Sequence, residues 1–217
     1  NTINFSSGLT INVISSGVST PTLANTGSDI RANLAGSGGL IKNGAGIITL
    51  GEHLTGVGSD NSFTGNVQIN AGTLLLDADD AALGNVANNV ILNGGNFALT
   101  SSSRLNAFIT NRTFTMNAPA TFNTIGSGEF NGVIGGSQAL NKAGKSIMVL
   151  GAANTFTGAT NVLAGTLHMR GALGSATLSA GGVNVAGAIT LDNNSAGNNN
   201  NRLADSSAVV LSGGQFG

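Results

Sequence analysis

Short apolar runs alternate with Gly- and Asn-rich breaks along the whole chain, and this pattern predicts strands rather than helices. The runs are three to six residues long, rich in β-branched residues and often alternating in polarity. No window of a dozen residues places apolar side chains at i, i+3, i+4 and i+7, so no amphipathic helix is expected. The predicted strands are 3–5, 9–14, 46–50, 66–69, 72–76, 89–92, 146–150, 160–163, 165–169, 182–185, 188–191 and 208–211.

Two segments of the chain repeat each other. Residues 61–74 (NSFTGNVQINAGTL) align without a gap with residues 154–167 (NTFTGATNVLAGTL), at an offset of 93. Upstream, residues 40–51 align with residues 140–151 at an offset of 100, which leaves seven extra residues in the first copy. Motifs that persist while their spacing drifts are typical of a repeat array, whose units contact mainly their neighbours.

Strands of this kind suit either an antiparallel sandwich or a parallel β-helix. Asn93-Gly94 and Asn131-Gly132 are hairpin-type dipeptides and favour the sandwich. Equivalent strands return at coil and repeat intervals, however, and Asn and Thr recur at matching positions, as stacked polar ladders require. We therefore predict an all-β chain that forms a right-handed parallel β-helix, a solenoid of about 20 residues per coil and about ten coils.

The predicted solenoid is a single segment, 1–217, of a longer protein, because the chain begins without a Met and stops inside a motif. Repeat copies are expected at about 36–97 and 132–191, and a third is begun near 201–217. The stretches 1–35 and about 98–130 match these copies only as generic coils.

Strand alternation assigns side chains to the inside or the outside of the coil. It predicts an inward group, Val67, Ile69, Leu74 and Leu76, and an outward group, Asn66, Gln68, Thr73 and Leu75. Phe63 and Phe156 each precede a Thr-Gly pair at a predicted corner, where a ring is expected to plug the thin core. An aspartate at Leu74 is therefore expected to destroy the fold, and one at Leu75 to be tolerated.

Composition narrows the classes of protein and partner. Hydrophobic residues make up 41% of the chain, yet there are 34 glycines and no Trp or Tyr, so the core must be thin and largely aliphatic. Charged residues make up only 8% and the net charge is −1, which excludes the basic footprint of nucleic-acid or anionic-membrane binding. The absence of cysteine excludes disulfides and thiol chemistry, and no stretch has the length and apolarity of a transmembrane helix.

The ordered motifs resemble the autotransporter-associated β-strand repeat, also called the passenger-associated transport repeat. The resemblance implies a right-handed parallel β-helix in the exported passenger of a type V secreted protein, or in a giant surface protein of similar repeats. It also implies a role in passenger folding and transport across the outer membrane rather than in catalysis. The residues that carry the resemblance are Lys42, Gly44, Leu50, Gly51, Phe63, Thr64, Gly65, Gly72, Thr73 and Leu74, and Lys142, Gly144, Leu150, Gly151, Phe156, Thr157, Gly158, Gly165, Thr166 and Leu167.

One carboxylate cluster is a weak candidate for calcium. Asp77, Asp79 and Asp80 group oxygen ligands of the kind that Ca²⁺ prefers. The second copy places Arg170, Gly171 and Ala172 in the corresponding stretch, which argues against a metal function of the repeat. A polar corner after the Leu74–Leu76 strand is the favoured interpretation, and no cofactor is expected.

Catalytic groups are sparse. His53 and His168 occupy non-equivalent places, and no Ser or carboxylate stands at a spacing that indicates a triad. Glu52 and Glu129 are isolated along the chain, whereas a polysaccharide lyase or hydrolase needs carboxylates that converge on one face of neighbouring coils. A solvated surface position is expected for both histidines.

The favoured function is a structural and adhesive stalk segment of a surface-displayed bacterial protein. Loops 52–60 and 193–201 are candidate ligand loops for a host surface or glycan, and Lys42 and Lys142 are expected to bond carbonyls at corners. One alternative is a subunit of a self-assembling extracellular filament, with like subunits joined end to end. A second alternative is a polysaccharide lyase or hydrolase.

Overall fold

A computed structural model describes residues 2–14, 28–30, 32–51, 61–100, 108–170, 181–192, 202–203 and 207–217. Within these ranges the elements are strands, apart from one short 3-10 helix at Asp80–Leu83. No helix among them is long and apolar enough to span a membrane. In chain order the strands are β1 (Thr2–Phe5), β2 (Leu9–Asn12), β3 (Ser28–Ile30), β4 (Asn33–Gly36), β5 (Leu40–Asn43), β6 (Ile47–Leu50), β7 (Val67–Ile69), β8 (Thr73–Leu76), β9 (Val90–Leu92), β10 (Asn96–Leu99), β11 (Phe108–Thr110), β12 (Phe114–Met116), β13 (Ala120–Thr124), β14 (Gly128–Phe130), β15 (Ile134–Gly136), β16 (Leu140–Ala143), β17 (Ile147–Leu150), β18 (Thr160–Val162), β19 (Thr166–Met169), β20 (Val183–Val185), β21 (Ala188–Leu191), β22 (Val209–Leu211) and β23 (Gln215–Phe216).

The strands form a parallel β-solenoid with three principal faces. Face 1 stacks β2, β5, β7, β9, β12 and β15, and face 3 stacks β11, β14, β17, β19, β21 and β23. Face 2 is the longest and stacks β3, β6, β8, β10, β13, β16, β18, β20 and β22, while β1 and β4 form a separate pair. Every pairing between these strands is parallel, from β1–β4 at one end to β21–β23 at the other. The prediction of a parallel β-helix is confirmed, and its right-handedness stays a prediction.

The coils are longer than predicted. Ile147 pairs with Thr166, Val67 with Val90, and Leu9 with Leu40, so the length of a coil ranges from 19 to 31 residues. The mean is roughly 23 residues per coil. About ten coils of equal length were expected. In the described residues, face 2 has nine strands and faces 1 and 3 have six each. The spacing of paired strands fixes the distance between successive coils, but the segments that connect the strands vary in length.

The two repeat copies lie one face apart. In the first copy β5 and β6 occupy faces 1 and 2, whereas their counterparts β16 and β17 occupy faces 2 and 3. The pairs β7–β8 and β18–β19 show the same shift. From Leu40 the chain returns to face 1 four times before Leu140, at Val67, Val90, Phe114 and Ile134. Copies 100 residues apart are therefore related by four coils and one additional face.

Inward rows of aliphatic side chains fill the solenoid, with an aromatic block in the middle. Leu40, Val67 and Val90 stack on successive coils of face 1 and are fully buried. Between the two copies the core becomes aromatic, with ring centroids 5.3 to 6.2 Å apart among Phe97, Phe108, Phe114, Phe122 and Phe130. Aromatic edge-to-face contacts of this kind add to the free energy of burial.

Leu75 lies on the outer side of its strand as predicted, but its side chain is buried rather than solvated. Val67, Ile69, Leu74 and Leu76 are buried as expected, but Leu75 is only 3% exposed. It lies in register between Thr49 and Ala98, and both of these are buried as well. The outer side of face 2 is therefore shielded from water at these three rungs. An aspartate at Leu75 is consequently expected to destabilise the chain.

Corner glycines allow the coils to stack closely. Gly72 and Gly165 adopt φ values of +67° and +65°, which side chains rarely tolerate. A Cβ at Gly72 would lie 2.3 Å from the carbonyl oxygen of Gly46, and one at Gly165 would lie 2.4 Å from that of Gly144. The hairpin-type dipeptide Asn131-Gly132 also lies at a close contact between coils. A Cβ at Gly132 would lie 1.9 Å from the carbonyl oxygen of Arg112 in the preceding coil.

Candidate functional site

A fully buried lysine joins two successive corners in each repeat copy. Lys42 Nζ donates to the carbonyl oxygens of Asn43 (2.8 Å), Gly44 (2.7 Å) and, one coil further on, Ala71 (3.0 Å). Lys142 Nζ repeats this pattern with Ala143 (2.8 Å), Gly144 (2.8 Å) and Ala164 (2.9 Å). Three carbonyl acceptors use all three N–H donors of an ammonium group. Each lysine is therefore a link between coils, as expected from its corner position.

The buried lysines make stability depend on pH. Burial lowers the pKa of Lys42 and lowers that of Lys142 to about 8, while the three carbonyls still favour the charged amine at neutral pH. The unfolded chain keeps its lysine proton up to about 10.5, so it binds more protons than the folded chain between these two values. The free energy of unfolding is therefore expected to rise as pH increases from about 8 to about 10.5.

Urea unfolding at several pH values across this window measures the effect. The Lys142→Met variant keeps an apolar stem of similar length and removes the titrating amine. Its pH dependence should be weaker than that of the unmodified chain. An equal slope in both proteins would show that Lys142 does not cause the rise.

A buried asparagine connects neighbouring coils in each copy. Asn61 Oδ1 accepts from the backbone N–H of Leu34 (2.7 Å), and Asn61 Nδ2 donates to the carbonyl of Ala82 (2.7 Å). In the second copy Asn154 Oδ1 accepts from the N–H of Ile134 at 2.9 Å. One amide thus satisfies backbone groups that the sheets leave unpaired.

Exposed and half-buried asparagines form two ladders along the solenoid. The first ladder lies at the corner between faces 1 and 2. Asn70 donates to Asn43, Asn93 to Asn70 and Asn117 to Asn93, in each case from Nδ2 to Oδ1 at 2.8 Å. On face 2 the second ladder joins Asn141, Asn161 and Asn184 at 2.8 and 2.7 Å. Asn ladders are a known device for stacking identical strands. The polar ladders predicted from the recurring Asn positions are confirmed.

Removal of an interior ladder residue should cost measurable stability. Asn70→Ala breaks hydrogen bonds to both Asn43 and Asn93, and the expected loss is about 1–2 kcal/mol. Asn117→Ala breaks the bond to Asn93 at the end of the ladder, so it should cost about half as much. The shift in urea midpoint for the two variants measures this difference. Equal losses would contradict a cooperative ladder.

Arg112 joins the 3-10 helix and the turn after it to the next coil. The residue is buried, and all five N–H groups of its guanidinium find acceptors in residues 80–88. Nε donates to Asp80 Oδ1 (2.8 Å), Nη1 to the carbonyls of Asn85 and Asn88, and Nη2 to the carbonyls of Asp80 and Gly84. This turn is consequently held rigid from the neighbouring coil. Arg202 is also buried and donates to the carbonyls of Met169 and Asp192.

The three carboxylates of the calcium candidate are each bound to a different protein group. Asp77 accepts from the hydroxyl of Thr100, Asp79 caps the 3-10 helix through the N–H of Ala81, and Asp80 pairs with Arg112. Over the described ranges, no three His, Asp or Glu side chains come together as a metal site requires. The geometry supports the polar-corner interpretation of this cluster.

Face 3 brings acidic and basic side chains together, although Glu129 is isolated from other carboxylates along the sequence. Glu129 bonds Arg170, two coils further on, and accepts from Asn131 Nδ2 at 3.0 Å. Burial acts to raise the pKa of Glu129, but the bonds from Arg170 and Asn131 and the Arg170 charge hold it below its usual value. His168 faces outward and lies 3.6 Å from Asp192 Oδ2. His53, Glu52 and loop 193–201 lie outside the described residues.

The sequence matches the family model described as Passenger-associated-transport-repeat at residues 40–76 and 140–169. These ranges contain both buried lysines and all four strands of each repeated unit. The chain therefore contains two passenger-associated transport repeats. It is 34% identical over 172 residues to the protein named Adhesin BmaC autotransporter of Brucella suis biovar 1 (strain 1330). That match covers 77% of this chain and spans 4% of the relative's length. No solved structure matches the chain.

The residues of the transport repeat occupy equivalent places in both copies. Thr64 donates its backbone N–H to Gly36 and Thr157 to Gly136, and both side chains are exposed. The leucines and phenylalanines of the repeat, Leu50, Leu74, Leu150, Leu167, Phe63 and Phe156, are buried. A Cβ at Gly65 or Gly158 would lie 2.3 Å from backbone of the preceding coil. The transport repeat therefore specifies a two-coil unit through its core, its corners and its lysine link.

Sequence reasoning missed two elements of the polar network. Asn61 and Asn154 were aligned at the offset of 93, but their bonds to another coil cannot be read from a local motif. The sequence does contain a signal for the buried position of Arg112. The pair Asn111-Arg112 recurs as Asn201-Arg202, and both arginines are buried. Isolated charged residues in a chain of so few charges are good candidates for buried links.

Proposed function

We propose that this chain is a non-catalytic, adhesive rod segment displayed outside the bacterial cell. The observation that carries the proposal is the match to an autotransporter adhesin over most of the chain, with the transport repeats at the lysine links. An exported passenger must act without cytoplasmic partners, and its stability must come from contacts between its own coils. The partner of the segment is a host surface or a glycan.

The polar network supports a mechanical role. Lys42, Asn61 and Arg112 each bond groups in a neighbouring coil, so every link couples adjacent rungs. In a solenoid, stability is roughly the sum of such neighbour terms and propagates along the axis. Such a rod holds loops at fixed distances from its attachment point, which is what an adhesive stalk requires.

Binding of coated beads tests the adhesive proposal. Fluorescent beads carrying the purified chain are passed over cultured host cells, extracellular-matrix proteins and a glycan array. Retention that saturates and is competed by soluble chain would support the proposal, with albumin-coated beads as the control. Retention equal to albumin on every surface would overturn it. Antibody staining of intact and permeabilised bacteria that make the protein checks its surface display separately.

The catalytic alternative predicts a different result. Glu129, His168, Arg170 and Asp192 lie on neighbouring coils of face 3, which is the kind of array that a lyase uses. Both carboxylates already face basic side chains of this chain. Release of unsaturated sugars from uronate polysaccharides by the purified chain, followed by absorbance, would favour the lyase over the adhesive rod.

A further inference from the structure

Face 3 presents a regular outward surface in the second half of the solenoid. Ile109, Glu129, Val149 and His168 lie in register on four successive coils, and their side chains point outward. Ile147 lies on the same strand as Val149 and is 41% exposed, while Ile109 is 52% exposed. This surface therefore combines apolar and charged groups in the described part of face 3.

A gap at Gly151 lets opposite charges meet across one coil. Backbone bonds run from Asn131 to Thr110, from Gly151 to Phe130 and from Arg170 to Leu150, so Asn131, Gly151 and Arg170 occupy successive coils. A Cβ at Gly151 would lie 2.1 Å from Asn131 Oδ1. Without one, Arg170 reaches across this coil to Glu129, and 40% of its side chain remains exposed. The negative and positive groups thus come from coils on either side of Gly151.

We propose that face 3 is a self-association surface, on which a second copy of this chain packs antiparallel about a two-fold axis over β17. The axis runs along the β17 strand, so the coil before β17 in one copy faces the coil after β17 in the other. Glu129 of each copy then lies opposite His168 and Arg170 of the other. A two-fold interface requires this reciprocal complementarity.

The order of charges selects the antiparallel arrangement. If the axis ran along the solenoid instead, each coil would face its own equivalent, and Glu129 would meet Glu129. Like charges directly opposed across an interface disfavour that pairing. In the antiparallel arrangement the central strand meets itself, so Ile147 and Val149 pack against the same residues of the other copy. Two flat sheets pack about 10 Å apart, within reach of these side chains.

A charge-swap pair tests this interface. The unmodified chain should sediment as a dimer in analytical ultracentrifugation, with dissociation favoured at high salt. Glu129→Arg and Arg170→Glu should each sediment as monomers, because each places like charges opposite one another. An equimolar mixture of the two variants should recover the dimer mass. In the mixed dimer the arginine introduced at position 129 faces the glutamate introduced at position 170, and the native Arg170 faces the native Glu129.

A folding control and a third variant complete the test of the interface. Circular dichroism establishes that each variant is folded, as expected for substitutions at partly exposed positions. Ile147→Glu, which leaves the ion pair intact, should also shift the dimer to monomer. A monomeric unmodified chain at its highest soluble concentration, dimers unaffected by all three substitutions, or a mixture that stays monomeric would each overturn the proposal.

Discussion

Replacement of Leu74 by Asp should unfold the solenoid around β8. Leu74 is fully buried and lies in register between Ile48 and Phe97, which are also buried. A carboxylate there has neither water nor a basic partner, and its burial costs several kcal/mol in addition to the lost apolar contacts. Because each coil is stabilised by its neighbours, the damage should spread to adjacent rungs. The expected result is loss of the β-sheet signal in circular dichroism, or recovery of the chain only in insoluble form.

Two other aspartate substitutions serve as comparisons for Leu74→Asp. Thr115→Asp lies on the outward side of β12 between Ile91 and Gly135, where no charge faces it, and it should change stability by less than about 0.5 kcal/mol. Leu75→Asp should be strongly destabilising, because Leu75 is buried although its side chain points outward. Tolerance of Leu75→Asp equal to that of Thr115→Asp would contradict the shielding of face 2.

Arg112→Met should destabilise the chain by about 3–5 kcal/mol. The guanidinium is buried, and its loss leaves the Asp80 carboxylate and four backbone carbonyls without their donor. Most of this loss comes from the buried guanidinium and the four carbonyls that it leaves without a donor, since the Asp80 side chain is 23% exposed and water can solvate its charge. Urea unfolding measures the total loss. Hydrogen exchange should show the largest increase in residues 80–88, where the bonds to Arg112 are made.

Arg170→Met is the matched control for Arg112→Met. Arg170 also pairs with one carboxylate, that of Glu129, but its side chain is 40% exposed. Partly exposed pairs of this kind contribute only about 0–1 kcal/mol, since water solvates both partners when the pair is broken. A loss for Arg170→Met as large as that for Arg112→Met would show that burial is not the source of the Arg112 effect.

Local patterns were sufficient to predict β1, β2, β6 to β9 and β17 to β22, and the inward positions named on β7 and β8. Alternation in Val67-Gln-Ile69 and the apolar run at Leu74–Leu76 place side chains correctly, because neighbours in sequence fix which side of a strand faces inward. The family resemblance added the order of motifs, and both copies of the repeat follow it. The strands β11 to β14 were not predicted, because the sequence of residues 108–130 has little in common with either copy.

Features that depend on distant coils were not predictable from one sequence. The cover over Leu75 and the bond between Glu129 and Arg170 both depend on which residues lie one or two coils away. A prediction of about 20 residues per coil places those neighbours wrongly, since the coils vary from 20 to 31 residues within face 1 alone. The shift of the second copy by one face has the same origin, as 100 residues do not equal a whole number of coils.

Disulfide formation between engineered cysteines tests the parallel solenoid most directly, because the natural chain has no cysteine. Thr121 and Asn141 lie in register on adjacent coils of face 2, at the ~4.8 Å spacing of paired strands, which suits a disulfide. Thr121 and Asn161 lie two coils apart, about 10 Å, which is too far. We expect the 121–141 pair to crosslink under mild oxidation and the 121–161 pair to remain reduced. Crosslinking of the second pair without the first would contradict the stacking of the second repeat on face 2, and with it the solenoid as described.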